Sequence, residues 1–361
     1  MSGTTDVLTV EHLTVTFDVD GEVVRAVDDA SFTVARGEVV AVVGESGSGK
    51  SMTAMTAMGI APDGAHASGS IRLGDLEVIG ADERTLRSVR GRSVSMIFQD
   101  PSAALNPVFT IGFQLAEAVR RTDGPHDRAA VRERSLELLR AVEVPEPERR
   151  LGQYPHELSG GQAQRVMIAM ALAAGPDLLI ADEPTTALDV TVQAEVLDVL
   201  RALRERTGTA ILLITHDMGV VADLADRVVV MRGGRVVETG TAEAVFAAPS
   251  ADYTRELLAA VPRMGTGSGL EARLGSATAP PAAVLDVRHL VVEYGGALRG
   301  RFRAVDDVSF TVGRGEIVGL VGESGSGKST LARAAVGLAP ITSGSVVVDG
   351  TDVAGARRAA R

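Results

Sequence analysis

Eight consecutive residues, Gly44-Glu45-Ser46-Gly47-Ser48-Gly49-Lys50-Ser51, combine three glycines with a lysine and hydroxyls in the pattern Gly-x4-Gly-Lys-Ser. Glycines let backbone N–H groups curl inward round phosphate oxygens, and a helix that starts where such a loop ends adds partial positive charge. In that setting Lys50 would hold the β- and γ-phosphates of a nucleotide, and Ser51 would bind Mg²⁺. The same eight letters return at 322–329, with Gly322, Gly325, Gly327, Lys328 and Ser329 in the equivalent places.

Two other stretches offer complementary chemistry. DLLIADEP (177–184) ends an apolar run in two carboxylates, Asp182 and Glu183. Carboxylates at the end of a buried strand are costly unless they bind a cation or a water. Asp182 suits a Mg²⁺ shell and Glu183 suits polarising an attacking water; a solvated strand end is the plainer alternative. LSGGQ (158–162) sets Ser159, Gly160, Gly161 and Gln162 just before an apolar helical run. That is either a turn with an N-cap or a second anion cradle. One nucleotide hardly needs two cradles in one domain, so the second is expected to serve the nucleotide of another copy.

The elements around these residues are α/β in pattern. EVVAVVG (38–44) reads as a buried strand feeding the glycine loop, and SMTAMTAMGI (51–60) as the helix after it. Segments 177–184, 210–217 and 227–240 read as strands, and 126–143 and 191–208 as helices. Such alternation predicts a mostly parallel sheet. Met52, Met55 and Met58 share a helix face, and core packing is the expected use of such a stripe.

The chain is also internally repeated: residues 26–51 and 304–329 differ at only five of 26 positions, an offset of 278. LTVEHLTVTF (8–17) likewise answers LDVRHLVVEY (285–294). Between the copies, the Gly-, Ser-, Ala- and Pro-rich stretch 263–284 reads as a flexible linker. The expected organisation is a complete unit over 1–262, the linker, and over 285–361 only the first part of a second unit. That part is expected to be marginal or partly disordered alone, because a parallel sheet without its later strands exposes an edge. Its Arg-rich ending reads as the start of a helix.

Composition excludes several classes. A net charge of −11 argues against broad nucleic-acid or anionic-membrane binding. Zero Cys excludes disulfides, thiolate zinc sites and iron–sulfur clusters, and fits a reducing cytoplasm. No apolar run reaches the roughly 18–20 residues that a spanning helix needs, and the N-terminus lacks the pattern of a signal peptide.

GESGSGKS, Gln99 in MIFQDP, LSGGQ, LLIADEP, TALD (186–189) and His216 in ITHD follow one another within residues 44–216. In this order and spacing they resemble the ABC-type ATPases. The resemblance implies a RecA-like core carrying an antiparallel β-subdomain and a helical subdomain over about 100–175. It also implies head-to-tail dimers with ATP sandwiched between one copy's phosphate loop and the other's LSGGQ. By the same resemblance, Phe17 would stack on adenine, and so would Tyr294 in the second copy. Gln99 would sense the γ-phosphate and join Ser51 and Asp182 at Mg²⁺. Asp189 would lie at the dimer seam, and His216 would contact the γ-phosphate beside the base Glu183.

QDPSAALNPVFTIGFQL (99–115), DEPTTALDVTVQAEVLDVL (182–200) and FAAPSADYTRELLAAVPRM (246–264) narrow the resemblance to ATPases of oligopeptide, dipeptide and nickel importers. Two copies in one chain further resemble fused forms that serve glutathione or peptide-antibiotic import. The expected partners are therefore transmembrane permease subunits, a second ATPase domain in trans and, indirectly, a solute-binding protein. The expected location is the cytoplasmic face of the plasma membrane. A nickel importer and a ribosome-binding tandem ATPase are the alternatives; the latter has a long charged helical linker, unlike 263–284.

Overall fold

The structure is a computed structural model that describes residues 6–122, 124, 127–186, 188–261, 283–295, 301–322 and 325–353. The chain divides into two compact units, Met1–Pro262 and Arg263–Arg361. The proposed linker lies outside the described residues up to 282, and the second unit's first strand already begins at Ala283. The Arg-rich ending also lies outside them.

In the first unit, β1 (Asp6–Val19) and β2 (Glu22–Ala35) form a long antiparallel pair. They are followed in the chain by β3 (Val39–Val43), α1 (Lys50–Ala57), β4 (Ala65–Leu73) and β5 (Leu76–Glu77). The four-stranded antiparallel sheet runs β2-β1-β4-β5. After α2 (Glu83–Val89) come β6 (Val94–Ile97), β7 (Leu178–Asp182), β8 (Ala210–Ile214), β9 (Arg227–Arg232) and β10 (Arg235–Thr241). With β3 they make a six-stranded sheet in the order β10-β9-β3-β8-β7-β6, parallel except for β10. Val39–Val43, Leu178–Asp182 and Ala210–Ile214 are buried along their whole length. Unbroken apolar runs are what strands covered on both faces require.

Between β6 and β7 lie α3 (Pro101–Ala104), α4 (Ile111–Arg120), α5 (Arg128–Ala141), α6 (Pro147–Arg150) and α7 (Gly160–Ala171). This is the helical subdomain, and it shares one core cluster with α8 (Val190–Thr207) and the facing side of β7 and β8. Helix starts follow local chemistry: Thr110, Asp127, Ser159 and Asp189 each accept a backbone N–H of their own first turn, worth about 1 kcal/mol apiece. A second cluster joins α1 and the antiparallel sheet to the other face of the parallel one. Met58 is buried there, with Met52 and Met55 packed against it. The unit closes with α9 (Met218–Leu224), α10 (Ala242–Ala247) and α11 (Asp252–Ala259), which cover β3 and β9.

The second unit repeats the antiparallel sheet. β11 (Ala283–Tyr294), β12 (Phe302–Gly313), β13 (Ser343–Val348) and β14 (Thr351–Asp352) run in the order β12-β11-β13-β14, with α12 (Lys328–Ala335) packed on them. Even the strained bulge recurs: His12 and Asp29, both at positive φ and 2.7 Å apart, reappear as His289 and Asp307, again 2.7 Å apart. The segment matching β3 behaves differently. Residues 316–321 form no strand, and Ile317 and Val321 are 92% and 89% exposed. In the first unit β3 is sandwiched between β8 and β9, some 170 residues downstream; among the described residues of the second unit no strand pairs with 316–321.

Candidate active site

The glycine loop joins the end of β3 to the start of α1. Gly44, Gly47 and Gly49 have positive φ. At two of them space also demands glycine: a Cβ on Gly44 would meet the Met231 carbonyl oxygen at 2.1 Å, and one on Gly49 the Ala26 oxygen at 2.5 Å. Ser46 and Gly47 lie at the exposed crest, while Ser48 is buried. The loop is thus pressed against β9 and β2, which fixes its curl.

Lys50 is 7% exposed and lies back across the loop. Its Nζ donates to the carbonyl oxygens of Gly44 (2.9 Å) and Glu45 (2.8 Å) and to Ser48 Oγ (3.2 Å). Burial pulls its pKa below the usual lysine value, against the pull of Glu183, Asp182 and Glu45. Ser51 Oγ donates to Asp182 Oδ1 at 3.1 Å. Asp182, 8% exposed at the end of β7, is held above the usual aspartate range by burial, against the Ser51 hydrogen bond. A buried hydroxyl–carboxylate pair of this kind suits a hard divalent cation, which prefers oxygen ligands and offsets the buried charge.

The next residue, Glu183, turns the chain with φ of +47°, a conformation that costs a non-glycine side chain and clusters at functional sites. Its N–H stays tied to the Ile214 oxygen at 2.8 Å. The turn aims the carboxylate away from the sheet into a ring of polar groups. Gln99 Nε2 and Thr186 Oγ1 donate to Oε2 at 2.8 and 2.9 Å, and His216 Nδ1 lies 3.0 Å from Oε1. Burial works against the ionised form, but the hydrogen bonds of His216 and Thr186 outweigh it and hold the pKa below the usual glutamate value. A carboxylate offers about four lone-pair sites; three contacts leave one for a water. Glu183 is therefore kept charged, oriented and able to accept a proton.

Gln99, Glu183 and His216 are brought together from the ends of β6, β7 and β8, as adjacent parallel strands require. Ser51, Asp182 and Lys50 form the neighbouring half of the cluster. Thr186 opens the TALD string, and its hydroxyl is a partner of Glu183 that sequence spacing alone does not reveal. Phe17 sits half-buried near the end of β1, paired with Val24 and Ala65 on the antiparallel sheet.

Ser159 and Gly160 are exposed at the N-terminus of α7. Ser159 and Gln162 form a reciprocal capping box, each side chain taking the other's backbone N–H at 3.3 Å. A Cβ on Gly160 would meet nothing within 4 Å, whereas one on Gly161 would lie 2.4 Å from Val192 Cγ1. Asp189 caps α8 by accepting the Val192 N–H at 3.0 Å. In the second unit, Gly322, Gly325 and Gly327 again have positive φ, and Lys328 Nζ donates to the Gly322 oxygen at 2.6 Å. Ser329 is exposed there and Tyr294 is 39% exposed at the end of β11.

Fold and site together define an ATP-hydrolysing phosphate-loop domain. The profile described as ABC transporter matches residues 27–186 and again 305–361. The oligopeptide transport ATP-binding protein OppD of Mycobacterium tuberculosis is 42% identical over 96% of this chain and 69% of its own length. The glutathione import ATP-binding protein GsiA of Escherichia coli is 44% identical over 96% of this chain and 60% of its own length. Among solved structures, the dimeric post-hydrolysis state of the cassette MJ0796 bound to ADP and Pi superposes with a TM-score of 0.59 at 28% identity, covering 65% of this chain and 98% of that one. Structure cbiO1 from Clostridium perfringens gives 0.57 at 30% identity, covering 68% and 92%. The chain belongs to the ABC transporter family, as an ATP-binding protein.

Proposed function

We propose that the chain is the ATP-hydrolysing subunit that energises an importer for peptides or related small solutes. The observation that carries this reading is the Glu183 carboxylate, held charged by Gln99, Thr186 and His216 beside Lys50 and the Ser51–Asp182 pair. The loop N–H groups and Lys50 bind the β- and γ-phosphates. Mg²⁺, held by Ser51, Asp182 and the Gln99 amide oxygen, would supply charge neutralisation at the phosphate oxygens. Glu183 takes the proton of the attacking water, and His216 and Thr186 keep it aimed. Phe17 is assigned to the adenine. Peptides and glutathione are favoured as cargo by the named roles of OppD and GsiA.

The exposed cradle at Ser159–Gln162 is assigned to the nucleotide of a second ATPase domain in trans, with Asp189 at the seam; the dimeric state of the MJ0796 cassette supports this. The docking surface for permease subunits is assigned to the segment after Gln99. Val108, Phe109 and Phe113 are 73%, 42% and 49% exposed there, and the two rings stack at 4.5 Å. An exposed apolar cluster is a mark of an interaction site. Among the described residues no helix is long and apolar enough to cross a membrane, so attachment to the cytoplasmic face is assigned to the permease. The second unit, residues 285–361, is assigned a nucleotide-binding loop with Tyr294 at the adenine.

Sites completed in trans give hydrolysis that rises more than linearly with protein concentration. A specific rate that stays constant across a hundredfold dilution, with gel filtration showing monomer throughout, contradicts the shared-site reading.

A further inference from the structure

The phosphate loop is gripped from outside as well as from within. Lys50 holds the carbonyl oxygens of Gly44 and Glu45 from inside the curl. On the other side, the backbone N–H of Glu45 donates to Tyr253 Oη at 3.0 Å, across 208 positions of sequence. Tyr253 stands in the first turn of α11, with the Arg232 guanidinium over its ring at 4.6 Å from the centroid. Arg232 directly follows Met231, whose carbonyl oxygen is the wall against which Gly44 is pressed. Ring and loop are thus registered to the same end of β9.

The helix that carries Tyr253 is itself anchored. Glu238 in β10 accepts the N–H groups of Ser250 and Ala251 at 2.7 and 3.1 Å, at the entrance to α11. Burial opposes its ionisation, but the hydrogen bonds hold its pKa down to about 2, so the anchor stays charged at any working pH. Tyr253, Leu257 and Leu258 then pack on the cluster that includes Ala41 and Val43 of β3, the strand leading into the loop.

We propose that α11 is a clamp on the phosphate loop and that Tyr253 is a positioning residue for ATP, acting through the Glu45 peptide. Preorganising the loop lowers the ordering cost of binding, so the clamp acts on affinity for the phosphates and leaves the Glu183 machinery alone. The inference rests on the loop being the ATP site, and the experiment separates the two. Tyr253→Phe in the full chain removes the hydroxyl and keeps the ring under Arg232. Kd for a fluorescent ATP analogue and KM for ATP are expected to rise about three- to tenfold, the range of one net hydrogen bond, with kcat within twofold. Glu238→Gln is expected to raise KM in the same direction, and the double variant to add little, as coupled positions do. Lys50→Ala serves as the reference, and every protein compared carries Lys328→Ala, so that binding reports the first loop alone. If Lys50→Ala loses ATP binding while Tyr253→Phe and Glu238→Gln keep both Kd and KM, the clamp is refuted. If Lys50→Ala binds ATP as tightly as the unchanged chain, the ATP-site reading falls first.

Discussion

Two adjacent glycines at the start of α7 separate the packing role of that helix from its proposed role toward a partner's nucleotide. A methyl on Gly161 would lie 2.4 Å from Val192 Cγ1. Val192 is β-branched and sits in the first turn of α8, where its χ1 has one strongly preferred value, so α7 and α8 must part. Overpacking of this kind costs about 1–3 kcal/mol, and each kcal/mol lowers Tm by roughly 2–4 °C in a unit of this size. Gly161→Ala should therefore lower Tm by several degrees. A methyl on Gly160 meets nothing within 4 Å, and alanine is the better helix former by up to about 1 kcal/mol. Gly160→Ala should leave Tm unchanged or slightly raised. Yet that methyl stands on the exposed cradle assigned to the second nucleotide, so hydrolysis at high protein concentration should fall at least tenfold, about 1.4 kcal/mol of transition-state stabilisation. Thermal unfolding followed by circular dichroism and a coupled phosphate assay read the two effects separately. A Gly160→Ala protein that hydrolyses ATP at the unchanged rate would refute the cradle's role.

The two phosphate loops differ in surroundings, and their lysines should differ in consequence. Lys50→Ala is expected to lower hydrolysis at least a hundredfold and Lys328→Ala far less; equal losses in the phosphate assay would contradict the assignment of catalysis to the first unit. The pH profile follows from Glu183. Its folded pKa lies below the usual 4.5, so the ionised base, and the stability its hydrogen bonds contribute, persist above that value and are lost only as pH falls through the lower, folded one. The acid limb of kcat/KM due to Glu183 should lie below 4.5, and Thr186→Ala, which removes one of its hydrogen bonds, should move that limb upward. A Glu183-dependent limb near neutrality would be inconsistent with the geometry.

Much of this was legible because the chemistry is local. The loop needs glycine within a few residues, and strands buried on both faces announce themselves as unbroken apolar runs, as β3, β7 and β8 do. Gln99, Glu183 and His216 come together because each follows a strand in one parallel sheet. Three features were not legible. The paired β1 and β2 carry register shifts that break the two-residue alternation. The Tyr253 hydroxyl reaches Glu45 from 208 positions away, and nothing in either segment signals the other. Residues 316–321 keep the apolar pattern of 38–43, with exchanges only at Ile317, Gly319 and Leu320, yet form no strand, because strand formation there depends on neighbours that β8 and β9 provide in the first unit.

The central claim is that Glu183 is the base of an ATP hydrolysis cycle built on the first loop. Glu183→Gln keeps the shape of the side chain and deletes its charge. Equilibrium binding and turnover measured on the same protein with MgATP test the claim directly. The account predicts ATP binding within a fewfold of the unchanged chain and hydrolysis reduced at least a hundredfold. Hydrolysis within a fewfold of the unchanged rate would contradict it.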